Sequence, residues 1–148
     1  HQGIADIRGA GAGTRLMSDG DVAGGIYAAR HNAPTDMCIG IGGSPEGIVT
    51  ACAIKALGGH IQGRMAPGDD AERQRGIDAG LKMDYVYEAD ELVRGNNTIF
   101  VATGVTDGQL VSGVRREGNW VYTESVVLRG ASGTLRRVSS EHLLSKWN

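Results

Sequence analysis

The chain has 148 residues, 41% of them hydrophobic, and a formal net charge of −2 at neutral pH. A single domain of this length buries about 70% of the surface its unfolded chain exposes, so a core requires neither a disulfide nor a metal. With 15 basic against 17 acidic residues and 5% aromatics, the chain has neither the basic excess nor the stacking platforms of a nucleic-acid binder, and no apolar run approaches the roughly 20 residues of a membrane span.

In chain order, the opening "HQGIADIRGAG" places Ile4 and Ile7 three apart, a helical stripe. It lacks an initiator methionine and reads as a helix already under way, so an excised or processed fragment is expected, without a signal peptide. "GTRLMS" (13–18) reads as a short strand, followed by a helix of small residues from "DGDVAGGIYAARH" with Val22 and Ile26 four apart. "DMCIGIGG" (36–43) reads as a second strand, buried on both faces because it is almost continuously apolar. Pro45 suits the first turn of the next helix. In "EGIVTACAIKALGG", Ile48, Cys52 and Leu57 are expected to face inward, with Gly58 and Gly59 ending the helix.

"HIQGRM" (60–65) is a third short strand, and "GDDAERQRGIDAG" a polar helix capped by Asp69 or Asp70 and ended by Gly80. "YVYEADELV" reads as a turn and short helix, "NNTIFVATGV" (96–105) as the clearest strand. "NWVYTESVVLRG" (119–130) and "SGTLRRVSS" (132–140) read as paired strands, and "SEHLLSKWN" as a closing helix with His142 on its surface. Strands alternating with helices predict an α/β fold with a largely parallel sheet, and the last third adds antiparallel strands at its edge. Cys38 and Cys52 sit in apolar runs and read as core thiols of a protein in the reducing cytoplasm.

The 24 glycines gather after the apolar runs, where tight turns and close backbone approaches are expected. In open α/β sheets, ligands lie beyond the carboxyl ends of the strands. Asp19 and Asp21 of "DGD" fall there. They suit sugar hydroxyls or a hard cation such as Mg²⁺, with Gly20 letting the backbone approach, but on the local pattern alone capping of the following helix is the favoured explanation. "GIGGSPEG" presents backbone N–H groups to an anion. Glu46 at that helix entrance repels a phosphate unless a cation lies between them, and stabilisation of the helix dipole is its competing explanation. Asp107 in "ATGVTDG" reads as a turn residue, and the pairs Arg115–Arg116 and Arg136–Arg137 as solvated faces. His1, His31, His60 and His142 have no ligand spacing.

Three segments in order, "LMSDGDVAGGI", "IGIGGSPEGIVTACAIKALGGHIQGRM" and "FVATGVTDGQLVSGVRR", together with "SVVLRGASGTLRRV", resemble the class II (GlpX-type) fructose-1,6-bisphosphatases of bacteria over about residues 1 to 138. The resemblance implies the layered α/β sandwich of the lithium-sensitive phosphatase superfamily. It also implies hydrolysis of the 1-phosphate of fructose 1,6-bisphosphate in gluconeogenesis with Mg²⁺ or Mn²⁺, some members acting on sedoheptulose 1,7-bisphosphate. By the same resemblance Asp19, Gly20 and Asp21 contact the sugar phosphate, Gly43 lies against it, and Glu46 is a metal ligand. Ser44 stands where the family often has alanine. The family's other metal-binding acids, its water-activating residues and a substrate tyrosine belong to an N-terminal half absent from this chain, and an arginine-containing substrate segment would fall just before His1. Residues 1–148 are therefore expected to be the C-terminal α/β portion, with no catalytic residue of its own and little or no turnover alone. Its expected partners are the bisphosphate, the missing half and further copies of itself. The alternatives are a sedoheptulose-1,7-bisphosphatase and a noncatalytic domain binding a sugar phosphate or nucleotide.

Overall fold

The computed structural model describes residues 2–17 and 20–147. Helix α1 (Gln2–Gly9) half-buries Ile4 and Ile7, the stripe the sequence marks. Helices α2 (Asp21–Ala28) and α3 (Ser44–Ala56) pack on one another, and α3 also packs on the main sheet. The short strands β1 (Gln62–Arg64) and β2 (Val86–Glu88) pair antiparallel, flanked by α4 (Asp70–Asp78) and α5 (Ala89–Leu92). Four strands make the main sheet: β3 (Ile99–Thr103), β4 (Arg115–Glu117), β5 (Trp120–Arg129) and β6 (Thr134–Leu143).

Strand β5 organises this sheet. Its full length pairs antiparallel with β6, from Trp120 opposite Leu143 to Arg129 opposite Thr134. Its other edge pairs antiparallel with β3 (Ile99 opposite Arg129) and with β4 (Glu117 opposite Trp120). Alternation then sends Val126 and Leu128 of β5 and Phe100 of β3 to one face, where they meet Ile26 of α2, Ala53 and Ala56 of α3, and Leu110. This is the core. Among the described residues, no helix is long and apolar enough to cross a membrane.

The α/β class and the antiparallel strands of the last third agree with the sequence; the largely parallel sheet does not. Every strand pair among the described residues is antiparallel. The two segments that would have made parallel pairs, 13–18 and 36–43, are irregular chain without strand pairing, Ser18 lying outside the described residues. Far from being buried on both faces, Met37, Ile39 and Ile41 are 65%, 68% and 84% exposed. Covering side chains of this size is worth about 1.5–3 kcal/mol each, so their exposure is a considerable unclaimed stabilisation.

Helix α3 also differs in which face it buries. Thr50, Ala51, Ala53, Ile54 and Ala56 are buried, whereas Ile48 is exposed and Cys52 and Leu57 are half-buried. The small residues win because α2 approaches closely: a Cβ on Gly25 would lie 2.8 Å from Thr50 Cγ2 and 3.7 Å from Ile54 Cδ1. Both cysteines are free thiols, as expected, but Cys38 is exposed and Cys52 is only half-buried. His142 lies on β6 instead of a helix, hydrogen-bonded to Thr123 at 3.0 Å and edge-on to Trp147. The expected closing helix is one 3₁₀ turn, Leu144–Lys146.

The loop between β3 and β4 is tied to the sheet by Glu124 of β5. The Ser112 N–H donates to Oε2 of Glu124 at 2.6 Å, and Arg137 Nη1 donates to its Oε1 at 3.0 Å and to the Leu110 carbonyl at 2.9 Å. Asp107 accepts from the Gly113 N–H at 2.8 Å, the turn role expected of it. Hydrogen bonds from Ser112, through amide and hydroxyl, and then from Arg137 hold the Glu124 carboxyl below the usual carboxylate range. A depressed native pKa adds stability above the unfolded value of about 4.3, and this stability is lost as pH falls through the native value. Glu124→Gln is therefore expected to lower the melting temperature at pH 6–7 and to converge on the parent as pH falls toward about 3. An offset independent of pH in paired thermal melts would contradict this.

Candidate active site

Two helix entrances meet at one cleft of about 350 Å³, lined by Gly20, Asp21, Val22, Gly43 and Glu46. Gly20 is the N-cap of α2 and adopts φ 86°, ψ 39°, a left-handed conformation that residues with a Cβ rarely take. The turn leaves Asp21 as the first helical residue, and its own side chain makes no cap bond to α2 among the described residues. Capping, the competing explanation for "DGD", is thus not what Asp21 does. Asp19 lies outside the described residues.

Gly43 is the N-cap of α3 in an extended conformation, again without a side-chain cap, and Glu46 stands in the first turn. The Gly47 N–H donates to the Gly43 carbonyl at 3.0 Å, and the Thr50 hydroxyl to the Glu46 carbonyl at 2.8 Å, which fixes the start of the helix. Neither the Asp21 nor the Glu46 carboxylate accepts a hydrogen bond or joins an ion pair among the described residues.

Gly42 and Gly43 form the floor between these carboxylates. A Cβ on Gly42 would lie 2.7 Å from Asp21 Oδ2, and one on Gly43 would collide with the Glu46 carboxylate. The paired glycines therefore let two acidic groups close down on the backbone from opposite sides. Gly42 had no assigned role from sequence; the signal was its place in a Gly-Gly pair ending an alternating run.

The cleft receives the positive ends of two helix dipoles and their unpaired first-turn N–H groups, which suit an anion. The carboxylates suit hydroxyl donors or a hard cation. No group of three His, Cys, Asp or Glu side chains able to hold a metal exists among the described residues. The cleft lining also has no lysine or arginine. Arg137 pairs with Glu124, and Arg115 pairs with Glu117 and stacks on Tyr122. A larger cleft of about 570 Å³ near Lys55 and His60 has its charges paired internally, Lys55 with Asp90 at 2.6 Å and His60 with Glu88 at 3.5 Å.

Comparison with known proteins gives one family, described as bacterial fructose-1,6-bisphosphatase, glpX-encoded, whose model matches residues 1–142. A fructose-1,6-bisphosphatase class 2 of Haemophilus influenzae is 39% identical over 154 aligned positions, which take in 95% of this chain and 46% of the relative. Two class 2 fructose-1,6-bisphosphatases of Escherichia coli are 40% and 37% identical, with 85% and 97% of this chain aligned to 43% and 46% of theirs. The chain spans about half the length of the curated relatives it matches.

Proposed function

The chain belongs to the glpX-encoded bacterial fructose-1,6-bisphosphatase family, and from that premise we propose that it supplies half of the active site of a divalent-metal-dependent sugar bisphosphatase. The reaction is hydrolysis of the 1-phosphate of fructose 1,6-bisphosphate, giving fructose 6-phosphate and inorganic phosphate, in the cytoplasm. The observation that carries this reading is the convergence of two carboxylates, Asp21 and Glu46, that have no partner among the described residues, on the Gly42–Gly43 floor between two helix entrances.

In this reading the carboxylate of Asp21, with that of Asp19, accepts hydrogen bonds from sugar hydroxyls. Gly20 and Gly43 keep the backbone low enough for the sugar phosphate to lie against it. The first-turn N–H groups of α3 face the phosphate oxygens. Glu46 offers one carboxylate to a Mg²⁺ or Mn²⁺ ion. That ion, when bound, polarises the phosphoryl oxygen and lowers the pKa of a bound water. Because Mg²⁺ needs near-octahedral oxygen ligation, the remaining protein ligands must come from the rest of the polypeptide, the portion of the relatives that this chain does not match. The proposed whole enzyme is a homo-oligomer.

The test is phosphate release from fructose 1,6-bisphosphate with Mn²⁺, with sedoheptulose 1,7-bisphosphate assayed in parallel. Two proteins are compared: this chain alone, and a chimera in which it replaces the matching portion of the Haemophilus influenzae relative. The chain alone is expected to release no phosphate above the blank, and the chimera to turn over the six-carbon substrate in preference. A folded chimera that releases none, or one whose activity survives chelation of divalent ions, defeats the reading. Preference for the seven-carbon substrate would move the assignment to a sedoheptulose-1,7-bisphosphatase.

A further inference from the structure

The stretches leading into the two helix entrances expose apolar side chains in a way that a finished surface does not. Along 37–42, Cys38 and Gly42 lie against α2, although every residue of the run is exposed and a Cβ on Gly40 would meet nothing within 4 Å. The sulfur of Cys38 lies 3.8 Å from where a Cβ on Gly24 would sit, and Gly42 lies under Asp21. The odd positions Met37, Ile39 and Ile41 turn to solvent, each at least 65% exposed. The preceding stretch does the same: Met17 rests on Gly24, and Leu16 is 68% exposed. The large apolar side chains of both stretches are thus on the wet side. The backbone is open as well. Among the described residues, 36–42 and 13–17 make no backbone hydrogen bond. An unpaired edge bearing large apolar side chains is a template for another strand.

We propose that 36–42, with Leu16 beside it, is the docking edge for the rest of the polypeptide, which adds backbone to it and covers Met37, Ile39 and Ile41. Two observations select this occupant over a second copy of the chain. The relatives carry more than half their length outside the matched portion, the chain aligning with 43–46% of them. The edge is also continuous with the cleft: it ends at Gly42 and Gly43 beside Glu46, where no group of three ligating side chains stands among the described residues. One docked body thus closes the apolar face and completes the ion's ligands. The inference rests on the reading above for the identity of the partner, but its geometry is tested without any assay of phosphate.

The experiment is hydrogen–deuterium exchange on this chain, on the chimera and on the native Haemophilus influenzae relative. In the isolated chain the amides of 36–42 are expected to exchange freely while those of β5 are protected. In the chimera, and at the aligned segment of the native relative, they are expected to slow at least about 100-fold. Ile41→Asp is the companion variant. It leaves the melting temperature of the isolated chain unchanged, since Ile41 is 84% exposed there, and lowers that of the chimera. Free exchange of this segment in the native relative overturns the proposal, as does an equal effect of Ile41→Asp in both proteins. Protection that appears in the isolated chain as its concentration rises, and not in the chimera, assigns the edge to a second copy instead. A protected edge in an inactive chimera would defeat the phosphatase reading and leave this one standing; an active chimera with a free edge would do the reverse.

Discussion

Glu46→Gln in the active chimera lowers the rate of phosphate release by at least about 100-fold, which corresponds to about 2.7 kcal/mol of transition-state stabilisation. The argument begins with what this side chain lacks. Its carboxylate stands in the first turn of α3 over the Gly43 floor, caps nothing, and pairs with no cation among the described residues. An amide of the same shape keeps the packing and removes the charge, so a cation loses an anionic ligand while the helix keeps its entrance. If Glu46 served only the helix dipole, the substitution would cost about 0.3–1 kcal/mol of stability and leave the rate near the parent's. The two roles separate in paired measurements. A metal ligand gives a collapsed rate with raised Mn²⁺ demand and a melting temperature within about 2 °C of the parent's. A dipole partner gives the reverse. A parental rate at saturating Mn²⁺ would remove Glu46 from the site.

How much of this was visible in the sequence depended on whether an element's partner lay within the chain. Strands 99–103 and 120–129 are rich in β-branched residues, and 120–129 meets 134–143 through a short connection containing Gly130 and Gly133. The polar helix α4 announced both ends, with Asp69 capping Glu72 N–H at 2.7 Å and Gly80 closing it at φ 79°. Segments 13–18 and 36–43 carry an equally strong apolar signal, but pairing is a non-local property. Periodicity says that residues 37 to 41 want to be a strand; it cannot say beside what. The parallel sheet inferred from them therefore failed among the described residues.

The buried face of α3 was missed for a different reason. The helix is apolar on nearly every side, so choosing the largest residues selected Ile48 and Leu57. The close approach of Gly25 in α2 to Thr50 and Ile54 selects instead the side of α3 that carries small residues, with Ala51 and Ala53 buried there. At the cleft the residue types were informative and their alternatives were not resolvable. The spacing of "DGD" serves a cap and a ligand site alike, and only the observed Gly20 cap, without a side-chain bond from Asp21, separates the two.

Gly43→Ala is expected to uncouple stability from activity. Gly43 sits at φ −65°, ψ 146°, ordinary extended backbone that alanine adopts freely, and such replacements raise stability by about 0.4–1 kcal/mol by restricting the unfolded chain. The added methyl has one neighbour to displace, the Glu46 carboxylate. That group is the far end of a flexible, exposed side chain, so the fold yields cheaply while the proposed ligand is pushed off its position. The melting temperature is thus expected to hold or rise as phosphate release falls at least about tenfold, since removing a supporting contact to a metal ligand costs about 10–100-fold. Combination with Glu46→Gln then distinguishes the two ways Gly43 acts. If the methyl works by moving Glu46, it costs nothing further once that carboxylate is gone, and the two effects are strongly non-additive. If it works by occupying space against the sugar phosphate, the losses multiply and appear as a raised KM. Full activity in Gly43→Ala would mean that neither the carboxylate nor the substrate comes down to this floor, and the site would have to lie elsewhere.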